Sequence, residues 1–120
     1  MKINMFEDFE VYKAARILTG KIYTISKQTE FNRDFGLRDQ ARRSAISIMA
    51  NIAEGFERKT NPDFVRFLFI AKGSCGELRA HLTIALDQKY INSEDYEALY
   101  DNCKKISSML SNPIKHLSKN

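Results

Sequence analysis

The stretch TNPDFVRFLFIAKGSCGELRAHLTIA, Thr60 to Ala85, decides the fold. Its apolar residues Phe64, Leu68, Ala71, Cys75, Leu78, Leu82 and Ala85 recur at alternating steps of four and three. That is the period of a helix burying one face, sustained over about three heptads. The start is marked by Asn61 as the expected N-cap, Pro62 at the first helical position and Asp63 in the first turn, where a negative charge opposes the helix dipole.

The same period continues on both sides. Downstream, Lys89 to Asn92 reads as a turn, and Asn92 or Ser93 caps a helix with the stripe Tyr96, Leu99, Cys103, Ile106 and Leu110. Pro113 is expected to end or kink it, because proline lacks the N–H of a helix interior. Upstream, a helix is predicted from Leu37 to Phe56, with Gly55 near its end supplying a left-handed or irregular backbone. Gln28 to Phe35 carries no sustained pattern and reads as a loop closing at Gly36. Before it, Val11, Ala15, Leu18, Ile22 and Ile25 define a first helix beginning near Glu7.

Helices of roughly 20 to 28 residues are about 30 to 40 Å long and can lie side by side. Short connections make sequential neighbours antiparallel. No segment alternates apolar and polar residues over strand length between turn signals. The expected architecture is an all-α, antiparallel up-and-down four-helix bundle, with residues 1–120 forming one domain.

Composition agrees with one globular core: 120 residues, 43% hydrophobic and 28% charged, with 5 Gly and 2 Pro. No window has the length and apolarity of a membrane span, and Met1 to Glu10 lacks the order of a signal peptide, so a cytoplasmic address is expected. Cys75 and Cys103 fall on apolar stripes and read as core residues, not as a disulfide. A net charge of +4 permits a nucleic-acid partner without requiring one.

On the second predicted helix, Gln40, Arg43, Ser47, Asn51, Glu54 and Arg58 line up as a narrow polar band. Nearly everything else there is apolar or small, a face about twice the usual 100° width. Either this helix is central in its own bundle or another subunit covers the excess. Gly73, Gly76 and Ala80 bear on the same choice, because small residues let another backbone approach, inside the bundle or from a second copy. The band reads either as a structural or interfacial network, with Arg43, Glu54 and Arg58 pairing, or as a ligand face whose arginines must stay accessible.

Enzyme and metal chemistry find little support. Glu-x-x-His, the di-metal signature of four-helix bundles, is absent: His81 follows Glu77 by four positions. Neither cysteine has zinc-ligand spacing, and no nucleophile-elbow or phosphate-loop pattern occurs. No cofactor and no catalytic residue are expected. Between Tyr12 and Arg43, however, eight basic residues face three acidic ones. Lys13, Arg16 and Lys27 share the first helix's outer face and, with Arg38 and Arg42, form the candidate phosphate-contacting set. An ordinary solvated face is the competing reading, and the aromatics offer no stacking platform.

The run Gly36–Phe56, GLRDQARRSAISIMANIAEGF, resembles a bacterial family of four-helix bundles encoded in intervening sequences of 23S ribosomal RNA genes, sometimes labelled ribosomal proteins. Asn51-Ile52-Ala53-Glu54-Gly55 is its most specific block. The likeness extends to Phe9–Ala14, Arg58, Arg66-Phe67-Leu68, Ala71–Ser74 and Glu77-Leu78. Relatives include an accessory protein of diversity-generating retroelements. The resemblance implies an antiparallel bundle, a homo-oligomeric ring of five, and RNA or nucleoprotein binding with a reverse transcriptase or other protein as partner; it implies no catalysis. The sequence departs from the usual pattern at Tyr12, Ser44, Met49-Ala50 and Cys75-Gly76.

Overall fold

A computed structural model describes residues 4–119; the first three positions of Met1–Glu10 lie outside them. After a 3-10 turn at Phe6–Asp8, the chain forms α1 (Glu10–Ser26), a short α2 (Thr29–Arg33), α3 (Phe35–Phe56), α4 (Asn61–Asp87) and α5 (Ser93–Leu117). Among the described residues there is no strand. The four long helices pack antiparallel in the cyclic order α1, α3, α4, α5, within 47 × 22 × 19 Å. No helix of the described residues is long and apolar enough to cross a membrane.

The stripes read from the sequence form the core. Leu18, Ile22, Ile48, Ile52, Leu68, Leu78, Leu82 and Leu110 are fully buried, as are Cys75 and Cys103. Both cysteines are free thiols.

Several local expectations are corrected. The stretch Gln28–Phe35 is not a plain loop: α2 forms there because Phe31 is fully buried and stacks on Tyr90 at 5.8 Å between ring centroids. Gly36 lies inside α3, which Asp34 caps by accepting from the Leu37 N–H at 3.1 Å. On α4 the N-cap is Thr60, not Asn61; its hydroxyl accepts from the Asp63 N–H at 3.3 Å. The earlier start puts Pro62 in the first turn, where a missing N–H loses no helical bond. Pro113 does not end α5, which runs on to Leu117 because buried Ile114 and half-buried Leu117 hold the last turn to the core.

Gly55 is also helical, and no glycine among the described residues has a positive φ. Its role is close approach: a Cβ there would sit 2.9 Å from Phe67 Cβ and 3.2 Å from the Phe64 carbonyl oxygen. The left-handed residue is Lys89 at φ 64°. Tyr90 N–H bonds the Ala85 carbonyl and Lys89 N–H that of Leu86, closing α4 with a Schellman motif.

Much of the wide apolar face of α3 is used internally, since α3 packs on α1 at one flank and α4 at the other. Ile46 remains 45% exposed. On α4, Phe69 and Ile84 are 55% and 45% exposed. A Cβ at Gly73 would meet nothing within 4 Å, and at Gly76 only Arg79 Nη2 at 3.7 Å, so tight packing inside the bundle does not require either glycine. Gly73 and Ala80 face outward with Phe69 and Ile84.

Candidate nucleic-acid interface

The polar band of α3 lies along its seam with α4. Ser47 Oγ and Ser74 Oγ are 2.8 Å apart, and Asn51 Nδ2 donates to Ser47 at 2.8 Å (carbonyl) and 3.0 Å (hydroxyl). Glu54 pairs with Arg58 at 3.4 Å, and the Arg58 guanidinium lies 4.6 Å from the centre of the Phe67 ring. These groups largely satisfy one another. Gln40 and Arg43 stand apart, both exposed, and Arg43 takes part in none of the described ion pairs.

Sequence reasoning did not anticipate Ser44 as a hub. Its buried hydroxyl is 2.7 Å from Glu77 Oε1, 3.1 Å from His81 Nδ1 and 3.0 Å from the Gln40 carbonyl. A hydroxyl has one proton, and the short contact with the carboxylate takes it. His81 then donates from Nδ1. With Glu77 bound directly to the serine and histidine at its side, this is not the relay of a hydrolase, in which histidine lies between the two. No group of three or more His, Cys, Asp or Glu among the described residues could hold a metal ion.

The five candidate cations do not converge on one surface. Lys13, Arg16 and Lys27 are exposed along α1, Lys13 pairing with Glu10 at 3.5 Å. Arg38 is committed locally: its Nε donates to Asp39 at 2.9 Å, its Nη1 to the Asn32 carbonyl at 3.1 Å, and its head lies over Phe35. Arg42 donates from Nε to buried Ser26 Oγ at 2.8 Å and lies over Tyr23, tying α3 to the end of α1.

What the structure adds is a groove between α1 and α5. Lys13 and Lys21 line it from α1 and Lys105 from α5, over a floor of Leu18 and Ile106. Ile17 stands in its wall, 62% exposed. Antiparallel α1 and α5 bring the basic first half of α1 beside the basic second half of α5. Lys105 could have been found from sequence only by pairing the first and last helices, a step that periodicity within either one does not supply. This cationic side lies opposite the outer α3–α4 face with its exposed Ile46, Phe69 and Ile84.

Fold and site together define a small all-α protein of the antiparallel four-helix-bundle class. The chain belongs to the family of 23S rRNA-intervening sequence proteins, whose model matches residues 7–112. It is similar in structure to a protein of unknown function from the S23 ribosomal protein family of Bacteroides thetaiotaomicron, with a TM-score of 0.82 and 27% identity over 88% of this chain and 98% of that one. A comparison with curated proteins gives no match.

Proposed function

We propose that this chain is a non-enzymatic, homo-oligomeric RNA-associated protein that contacts phosphates through the α1–α5 side. The observation that carries the reading is the gathering of Lys13, Lys21 and Lys105 on that side, with Lys13 alone among them in an ion pair, to Glu10 at the groove's edge. The outer α3–α4 face is left for a second copy, in a ring such as the family resemblance implies. A bundle fold by itself argues for neither role. Contacts of this kind hold a phosphate backbone without reading sequence.

The test is binding to unstructured RNA across a salt series. Each lost phosphate contact lowers the log–log salt slope by about 0.7–0.9, so exchanging Lys13, Lys21 and Lys105 together for glutamine should reduce it by about 2–3. No binding at low salt, or an unchanged slope in the variant, would defeat the reading.

A second reading, a protein-interaction scaffold with a reverse transcriptase or other protein as partner, draws on the exposed Ile17 beside the apolar groove floor. Its mark would be a stoichiometric protein partner that stays bound after nuclease treatment.

A further inference from the structure

Arg79 on α4 is the one described side chain that buries a polar atom without a partner, its Nε. The guanidinium lies over the ring of Tyr100 on α5, 5.5 Å from the centroid. One turn earlier, Gly76 presents no side chain, and its missing Cβ would sit 3.7 Å from Arg79 Nη2. One turn earlier again, Lys72 donates to Ser111 Oγ on α5 at 2.8 Å. Neither cation takes part in any of the described ion pairs.

Lys72, Gly76 and Arg79 are spaced i, i+4 and i+7, so they share the flank of α4 turned toward α5. Anything set against the open backbone at Gly76 has a cation one turn away on either side, with the Tyr100 ring and the Ser111 hydroxyl across the seam. A guanidinium N–H removed from water without an acceptor is unfavourable, and two unpaired cations on one flank add repulsion. A phosphate offsets the repulsion, its oxygens matching the guanidinium's terminal nitrogens while lysine supplies a second, mobile charge, and it satisfies Nε as well when the guanidinium turns outward from the seam.

We infer that the α4–α5 seam is a phosphate-binding site centred on Arg79, with Gly76 providing the room and Lys72 swinging from Ser111 to serve as the second cation. The phosphate is either a free anion or one unit of a phosphodiester chain. The site is separate from the α1–α5 surface and stands without it.

The chain has no Trp and 5 Tyr, so tyrosine fluorescence reports directly on a ligand beside Tyr100. At constant ionic strength, inorganic phosphate and a short single-stranded oligoribonucleotide are titrated against the wild type and the Arg79→Gln, Arg79→Lys and Lys72→Gln variants, with melting temperature as a second readout. Arg79→Gln should weaken binding by about tenfold or more, the loss of one charged bidentate contact. Arg79→Lys, which keeps the charge without the fork, should fall between. Removing the orphaned donor should leave Arg79→Gln at least as stable as the wild type in phosphate-free buffer, which separates lost binding from lost folding. Arg79-dependent binding of inorganic phosphate assigns a free-anion site; Arg79-dependent binding of the oligoribonucleotide alone assigns a phosphodiester. Wild-type signals that chloride reproduces, or equal affinities for wild type and Arg79→Gln with both probes, would overturn the proposal. Lys21→Gln with Lys105→Gln should leave phosphate affinity at Arg79 unchanged, so this site and the α1–α5 reading can fail independently.

Discussion

Tyr90 donates its hydroxyl to Asp34 Oδ2 at 3.0 Å, while Oδ1 of the same carboxylate accepts from the Leu37 N–H. The residue that caps α3 is thus held by the turn between α4 and α5, across 56 positions of sequence. Stacking of Tyr90 on Phe31 adds α2 to the same end of the bundle.

This contact has a pH signature. Accepting the phenolic proton, Asp34 raises the Tyr90 pKa above its ordinary 10.0, with desolvation acting in the same direction. The raised value means that the folded state favours the protonated phenol. Its contribution is complete below pH 10 and is lost as pH rises through the folded value. Tyr90→Phe should therefore lower the melting temperature at neutral pH, and the gap between variant and wild type should narrow above pH 10. A gap that stays constant through alkaline titration would show that the bond does not carry this linkage.

The two core thiols should be inert. Burial pushes Cys75 up to about 11 and Cys103 to about 12, against a partial lowering by Arg79 at both and by Lys72 at Cys75. Since the thiolate is the reactive form, native protein at pH 8 should resist thiol reagents, and both groups should become available on unfolding. The sign follows the same rule as for Tyr90: unfolded thiols ionise near 9 and folded ones later, so the thiols' contribution to stability declines above pH 9. Stoichiometric labelling of the native chain within minutes would contradict this.

The fold was legible because its signal is local. Leu68, Ala71, Cys75, Leu78 and Leu82 announce one buried face by spacing alone, and the structure buries each of them. The α2 turn was not legible: five residues carry too little periodicity, and the cause of the turn, Phe31 meeting Tyr90, is a contact between distant parts of the chain. The site was half legible for the same reason. Lys13 stands on a helix face that a wheel reveals, whereas Lys105 joins it only through the packing of α5 on α1. Arg42 is held by Ser26 and Tyr23, a partnership that nothing local in the sequence indicates.

Lys89 should tolerate glycine better than its own side chain. It adopts φ 64° at the end of α4, where an L-residue is disfavoured by about 1–2 kcal/mol and glycine is not. Part of that gain is returned through the greater freedom of glycine in the unfolded chain. Lys89→Gly should stabilise the protein by about 0.5–1 kcal/mol in denaturant unfolding. A loss of stability would mean that the lysine side chain makes a contribution beyond its backbone conformation.

Gly55 and Gly73, both helical, should respond to alanine in opposite directions. At Gly55 the new methyl would meet Phe67 Cβ at 2.9 Å and the Phe64 carbonyl at 3.2 Å. The backbone oxygen cannot rotate away, so α3 and α4 must separate, and Gly55→Ala should cost about 1–3 kcal/mol despite its better helix propensity. At Gly73 the methyl meets nothing within 4 Å. Gly73→Ala should raise the stability of the isolated chain by about 0.5–1 kcal/mol through helix propensity alone. If a second copy covers the outer α4 face, the same methyl obstructs its approach beside Phe69 and Ile84, and light scattering should show weaker self-association in a chain that is itself more stable. Stabilisation with unchanged self-association would place the subunit contact elsewhere; a monomer near 13.9 kDa for the wild type would remove it altogether.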